Sequence, residues 1–571
     1  MKYTLVNSEI KDNYIKQLLS DYGIKEIENF LSPTEDSLQS WEDLINIDSG
    51  IQKVKETIND NSSYAIIADC DCDGITSFAI LYQYLKRLNP NKQIDFYIHE
   101  GKQHGLEDIH KQLLDKEYSI VFCPDSGSND GIYAKLLNTS VIVIDHHILE
   151  DTSEFPKNMI IINNQNSPNY HNKNLSGAGM VWQFCRGLDF YYGNNWAYDY
   201  IDLAAVGICG DMMSGKEIEN QYIWKVGFSN IKNFFLKSII EKQSYSMNGK
   251  INPTTIAFYI VPLINAMIRV GTQEEKRRLY SAFIDGEKLI ESNKRGAKGT
   301  LEKAAIESIR ECTNAKAKQN RLLDAAVEKM EIKIHKYDLL ENKVIIIKLD
   351  EEDSFPSELN GLLAMKISAK YKKPTLVLRE NKDGILKGSA RGVNNGPLVS
   401  LKNYLSSTGL FDYCTGHDEA FGAAIDKRKL EQFYNISNEE LKDLSFGEDC
   451  FEVNFIRAAA DRDIADIIFE VNKYEDIWSQ GVAEPRLYIH DININKSDIQ
   501  IMGKNKDTVK FNKFGVDYIK FHAEDFINDI QQYNEIKLEI VGKGNINEWM
   551  GNTSPQILIE GYELEDNRYG F

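Results

Sequence analysis

A series of short apolar runs, each stopping at acidic or glycine-rich residues, constrains the fold of this chain more than any other feature. The runs are Tyr64–Ala68, Ile94–Ile98, Ser119–Cys123, Val141–Ile144 and Met159–Ile162, with helix-period segments between them. Directly after the first run, Ile75, Phe78, Ala79, Tyr82, Leu85 and Leu88 form one helical stripe. Strands alternating with amphipathic helices predict an α/β fold around a largely parallel sheet.

The 571 residues suggest three to five domains at roughly 100–200 residues each. The pattern predicts an N-terminal helical segment over 1–60 and a parallel-sheet domain over 61–285. A long connecting helix is expected within 286–338, although the charged stretch Glu287–Lys336 also reads as two shorter helices. A smaller α/β domain is expected over 339–435, because VIIIKL at 344–349 and PTLVL at 374–378 restart the alternation. Over 436–571 we expect a helical linker and then a small antiparallel barrel or sandwich, from runs at 486–490, 499–502, 536–541 and 556–560.

Charge narrows the function classes. Sixty-six basic against 86 acidic residues leave a net charge of −20, which excludes a generic basic coat for nucleic acid. A nucleic-acid site must then be a local groove, or must take its positive field from bound cations. Eight cysteines without a C-x-x-C pair exclude a disulfide scaffold and predict reduced thiols in the cytoplasm. The N-terminus lacks a signal-peptide apolar core and no 18-residue uncharged apolar stretch occurs, so we expect no membrane span.

The acidic ends of the runs carry the chemistry. ADCDCDG places Asp69, Asp71 and Asp73 between a strand and a helix. One such Asp would be an ordinary helix N-cap; three at spacing two repel one another and suit hard divalent cations. CPDSG ends the next motif at Asp125, which alone reads as a common turn. VIVIDHH ends at Asp145, His146 and His147, and LAAVGICGD ends at Asp211, where a helix cap is the alternative. Strand ends of a parallel sheet share one edge, so Asp71, Asp73, Asp125, His146 and Asp211 are expected to converge there. Mixed carboxylate and imidazole donors favour two divalent cations, with Mn²⁺ preferred and Mg²⁺ tolerated. Such a pair activates water and clamps a phosphate for in-line attack.

The series DCDCDG, PDSG, DHH and GICGD resembles motifs I to IV of the DHH phosphoesterase superfamily. Over nearly the whole chain the sequence is similar to RecJ-type single-strand-specific 5′→3′ DNA exonucleases. FLSP (30–33), N-x-Q (163–165), LSGAG (175–179), LINAMIRVG (263–271), GSARG (388–392) and TGHDEAFG (415–422) resemble that family's segments in order. Asn547, Trp549, Gly551 and Gln556 resemble the pattern of its oligonucleotide-binding (OB) barrel. Departures are Pro124 before Asp125, Thr415 in a glycine pair, and Gly392 where many relatives carry serine.

The resemblance implies a DHH domain and a DHH-associated domain joined by a long helix, plus an OB-like barrel. It implies metal binding by Asp71, Asp73, Asp125, His146 and Asp211, with Asp125 bridging. Asp69 would be a ligand or a ligand's partner, and Asp145 would orient His146. His147 would hydrogen-bond the scissile phosphate or leaving oxygen, and His417 would stabilise the transition-state charge. Ser389, Arg391 and the backbone at Gly388 would hold a 5′-terminal phosphate, with Arg269 on the strand backbone near the metals. Trp549 is a candidate for base stacking, against the commoner role of a barrel-core ring. The implied substrate is single-stranded DNA, the implied protein a monomer, and candidate partners are a single-strand-binding protein or a helicase. Competing readings are a DHH phosphodiesterase of short oligonucleotides or cyclic dinucleotides, and a non-catalytic scaffold that binds single strands.

Overall fold

The computed structural model describes residues 2–6, 10, 13–101, 103–150, 155–350, 353–393, 396–549 and 551–564, with the side chains of Gln532 and Trp549 outside that description. It divides into two compact units. One comprises residues 24–319 and 476–483, the other 1–23, 320–475 and 484–571.

The first unit is built on a five-stranded sheet whose strands all run parallel. In space the order is Ile94–Ile98, Ser63–Ala68, Tyr118–Pro124, Ser140–Asp145, Met159–Asn163. The chain therefore reverses its direction of winding between the first and third strands, where an open α/β sheet leaves a crevice at its C-terminal edge. Alternation along the strands sorts the two faces. Ala65, Ile67, Val121, Cys123, Val141, Val143 and Ile161 join Leu106, Ile109, Leu113, Ala134 and Leu137 in one core. On the other face the helix Ile47–Thr57 packs so closely that a Cβ at Gly50 would lie 2.9 Å from Ile162 and 3.2 Å from Phe184. The helices Cys72–Leu88, Gly177–Tyr192 and Ile201–Gly210 pack against one another and bring the DCDCDG and GICGD motifs together.

The run before Asp211 is a helix, Ile201–Gly210, so that motif reaches the site from a helix C-terminus and not from a strand end. Gly207 and Gly210 lie against the helix Cys72–Leu88, where a Cβ at Gly207 would fall 2.3 Å from Asp73 Oδ1. The stretch 286–303 is not helical as expected. It forms a hairpin, Leu289–Glu291 with Leu301–Lys303, because Gly296 and Gly299 both take left-handed φ, +85° and +83°. The long helix begins only at Ala304 and runs to Lys336.

In the second unit a five-stranded mixed sheet has the order Phe411–His417, Ala420–Asp426, Ile385–Arg391, Thr375–Glu380, Ile345–Leu349. A seven-stranded sheet carries the C-terminal region. It is mixed and not purely antiparallel, since Phe455–Ala458 pairs parallel with Arg486–Asn495, and Val516–Lys520 parallel with Asn552–Leu564. The first residues are not all helical: Lys2–Leu5 is a strand paired parallel with Cys450–Val453. Arg457 secures this N-terminal segment by donating to the Ile10 carbonyl at 2.7 Å. Among the described residues, the one helical stretch apolar and long enough to cross a bilayer is Pro253–Val270, of which 56% is buried inside the protein.

Candidate metal centre and phosphate site

Asp71 caps the helix Cys72–Leu88, its carboxylate accepting from Gly74 N–H at 2.9 Å. Glycine is required there, because a Cβ at Gly74 would lie 2.6 Å from Asp69 Cβ and 2.7 Å from its carbonyl carbon. Asp73, in the first turn, is buried and faces a second helix start. Its carboxylate accepts from Ser176 Oγ (2.9 Å), Gly177 N–H (2.7 Å) and Ala178 N–H (3.0 Å). The LSGAG segment thus holds Asp73 with two backbone donors and the positive end of a 16-residue helix. Sequence reasoning assigned LSGAG no role; a Ser-Gly pair opening a helix was the available signal.

Asp125 follows the strand Tyr118–Pro124 in a left-handed conformation, φ +67°. Its amide donates to the Ile144 carbonyl at 2.8 Å, which ties it to the strand that ends in DHH. His146 Nε2 lies 3.2 Å from Asp125 Oδ1, 3.5 Å from Asp211 Oδ2 and 3.9 Å from Asp73 Oδ2. The five residues expected to converge do so around this imidazole, with Asp71 entering through a second group. Ligand atoms of Asp73, His146 and Asp211 lie within 4.8 Å of one another, as do those of Asp69, Asp71 and Asp125.

Asp145 serves a different histidine from the one expected. Its Oδ1 accepts from His147 Nδ1 at 2.7 Å and from the His146 backbone N–H at 2.7 Å. It therefore fixes the turn and the His147 ring, because adjacent residues at a strand end point to opposite sides. Burial would raise the Asp145 carboxyl, but the hydrogen bond and charge of His147 hold it well below the usual range. His147 is pushed up to about 9: burial opposes this, and its hydrogen bond to Asp145 and that residue's charge prevail.

Asp69 is occupied by a partner that sequence reasoning missed. His104 Nδ1 sits 2.8 Å and 3.0 Å from its two carboxylate oxygens. Tyr280 donates to the Asp69 carbonyl at 2.8 Å. Arg269 is half-buried, and burial lowers its pKa while the charge of Asp71 raises it. Among the described residues it makes no ion pair, and the main charge acting on it is that of Asp71.

The cluster is electrostatically unfavourable by itself. Burial, then the charge of Asp71, pushes Asp73 up to about 6. Burial, then Asp73 and Asp71, raises Asp211 to about 8 and Asp125 well above the ordinary carboxyl value. Asp125 Oδ1 is buried and, despite its closeness to His146, accepts no hydrogen bond of acceptable geometry. A buried carboxylate oxygen without a donor, ringed by other carboxylates and one imidazole, fits a divalent cation pair. These shifts set a pH dependence. A carboxyl whose folded pKa is raised contributes stability that is complete below its unfolded pKa and is lost as pH rises through the folded value. The metal-free protein is therefore expected to lose stability from about pH 4 to about pH 8, by about 1.4 kcal/mol per pH unit for each proton retained by the fold. Mn²⁺ is expected to reverse this, adding about 2.7 kcal/mol at a hundredfold excess over its Kd. Thermal melts at pH 5 and pH 8 with and without Mn²⁺ check it; a larger metal-induced shift at pH 5 would contradict it.

The phosphate candidates belong to the second unit. Gly388 lies mid-strand, where a Cβ would sit 2.0 Å from the Val377 carbonyl oxygen. Ser389 pairs with Gly422, and Arg391 with Ala420. The Arg391 guanidinium donates to the Ala390 carbonyl at 2.7 Å and lies against Gly361 at the start of the helix Asn360–Tyr371, where a Cβ would meet Nη2 at 2.5 Å. His417 is exposed at the tip of the hairpin, also opposite Ala420, and so lies two strand spacings, about 10 Å, from Arg391. A Cβ at Gly392 would meet the Glu419 carboxylate, the movable end of a flexible side chain, whose other oxygen accepts from Leu401 N–H at 3.2 Å. In the C-terminal sheet, Gln556 Nε2 donates to Asn545 Oδ1 at 2.7 Å, and the Trp549 side chain lies outside the described residues.

Comparisons agree with this architecture. Residues 63–208 match the DHH family, N-terminal domain, and residues 465–561 match the RecJ OB domain. The Bacillus subtilis (strain 168) protein named putative SPbeta prophage-derived single-strand DNA-specific exonuclease YorK is 34% identical, over 99% of this chain and 98% of its own length. The single-stranded-DNA-specific exonuclease RecJ of the same organism is 24% identical over 89% of this chain and 62% of its own. The crystal structure of RecJ in complex with Mn²⁺ from Thermus thermophilus has the same fold, with TM-score 0.74 over 98% of this chain and 79% of that one, at 18% identity. Full-length similarity at this level, on a fold that gathers all four acidic motifs at one sheet edge, shows that the chain belongs to the RecJ-type branch of the DHH phosphoesterase superfamily.

Proposed function

We propose that this chain hydrolyses single-stranded DNA from the 5′ end, releasing 5′-mononucleotides. The observation that carries the reading is the convergence of Asp71, Asp73, Asp125, His146 and Asp211 at the crevice of the parallel sheet. Those residues would hold two divalent cations, Mn²⁺ preferred and Mg²⁺ accepted, with Asp125 as the proposed shared ligand. When bound, the cations supply a water activated for attack and neutralise charge on the phosphate. The protein orients the rest. Asp145 fixes the His147 ring so that its outer nitrogen can donate to a phosphate or leaving oxygen. Arg391 and Ser389 engage the 5′-terminal phosphate through charge-assisted hydrogen bonds, and His417 stabilises the transition-state charge. Arg269, free of an ion pair among the described residues, contacts the strand backbone. Phosphate contacts carry no base information, so sequence preference is weak. The OB domain holds the remaining strand. The protein works as a monomer in the cytoplasm, with a single-strand-binding protein or helicase presenting the strand.

A time course on 5′-labelled and 3′-labelled single strands, with duplex controls, tests the reading. Asp73→Ala is expected to lower mononucleotide release by at least about 10³-fold, as loss of an organised electrostatic group does. Full-rate cleavage by that variant would refute the metal assignment. Arg391→Ala is expected to raise KM for 5′-phosphorylated strands about 10- to 100-fold, the worth of a charged hydrogen bond, with little change for 5′-hydroxyl strands. Equal effects on both substrates would remove Arg391 from the phosphate site.

A further inference from the structure

Beside the paired-cation cluster, three donors of different chemistry meet. His104 Nδ1 lies 2.8 Å from Asp69 Oδ2 and 4.0 Å from Cys70 Sγ. Their ligand atoms all fall within 4.8 Å of one another. The sheet makes the meeting possible: Asp69 and Cys70 follow the strand Ser63–Ala68, and His104 follows its parallel neighbour Ile94–Ile98, so both arrive at the same edge. The Cys70 thiol donates to the Gln103 carbonyl at 2.9 Å, which points the sulfur at the loop that carries His104. Nothing in the nuclease reading uses this thiol.

We propose that Asp69, Cys70 and His104 form a separate site for one borderline-soft divalent cation of the Zn²⁺ type. A thiolate, an imidazole and a carboxylate match Zn²⁺, whereas Mn²⁺ and Mg²⁺ favour oxygen-rich sets. Asp69 and Cys70 are buried, but the His104 side chain is 48% exposed, which gives the ion an entry path and leaves a fourth position for water. Binding releases the thiol proton, and any proton on the ring nitrogen that takes the ion, to solvent. Ligand atoms of Asp69, Asp71 and Asp125 lie within 4.8 Å of one another, so a cation held by Asp69 repels one held by Asp71 and Asp125. Zn²⁺ therefore acts as an inhibitor that weakens Mn²⁺ binding from an adjoining site.

The test reads absorption, and so is independent of the nuclease reading. Reduced, metal-free full-length protein is titrated with Co²⁺. The wild type is expected to develop a thiolate-to-cobalt charge-transfer band saturating at one ion per chain and bleached by one equivalent of Zn²⁺. Cys70→Ser is expected to lose the band while keeping Mn²⁺ binding. Absence of the band in the wild type, or its persistence in Cys70→Ser, overturns the site. If Cys70→Ser fails to fold, His104→Ala carries the test. Its band must titrate at least about tenfold more weakly, the scale of a lost ligand-shell group, and an unchanged titration overturns the proposal.

Discussion

Asp125→Asn is expected to abolish metal-dependent hydrolysis and, at the same time, to stabilise the metal-free protein. Two effects of opposite sign act at one atom pair. Asp125 is buried, accepts no hydrogen bond at Oδ1 although His146 Nε2 lies 3.2 Å away, and is surrounded by Asp73, Asp71, Asp69 and Asp211, so its ionised form is strongly disfavoured without cations. Asparagine keeps the shape, tolerates the left-handed φ of +67°, and removes the charge. The metal-free gain is on the order of 1–3 kcal/mol, as when a buried repelled charge is replaced by a neutral isostere. It grows as pH rises, because only the aspartate must ionise. The same substitution removes a carboxylate from the proposed cation cluster, and hydrolysis is expected to fall by at least about 10³-fold. Melts with and without Mn²⁺, beside a strand-cleavage assay, measure both. A variant that is inactive and less stable without metal would show that Asp125 is structural.

Gly177→Ala carries the second large effect. Glycine at the first position of a helix is ordinarily improved by alanine, by up to about 1 kcal/mol in the helix interior. Gly177 has no left-handed φ to protect. What it protects is space: a Cβ would lie 2.2 Å from Asp125 Oδ1 and 2.5 Å from Asp125 Cβ. The Gly177 amide also donates to Asp73. Alanine must therefore displace one or both carboxylates by an ångström or so. A misplacement of that size is expected to cost about 10²-fold in rate while the fold persists. Measured kcat against Mn²⁺ concentration, with a melt as control, distinguishes this from unfolding. Wild-type kcat in a stable Gly177→Ala protein would contradict the close approach.

The parallel sheet was legible because its three central strands are buried on both faces and so read as continuous apolar runs with polar ends. The helix at Ile201–Gly210 was not, since a short buried helix is apolar all round and shows no period. The hairpin at 289–303 was hidden by charge, and only the glycines at 296 and 299 marked it. The long C-terminal strands at 535–549 and 552–564 appeared in sequence as shorter pieces, because solvent-facing residues dilute their apolar signal.

By itself the sequence determined which ligand types stand at strand and helix ends, since that depends on local order: Asp71 and Asp73 before a helix, Asp125 after a strand, and His146 after Asp145. Which atoms face which depended on long-range packing. That Asp145 grips His147, that Ser176 and Gly177 hold Asp73, and that His104 meets Asp69 follow from elements 35 to more than 100 residues apart, or from the twist of a single turn. Local chemistry is written in neighbouring residues; the direction of a side chain is set by the backbone it is packed against, and only the folded chain supplies that.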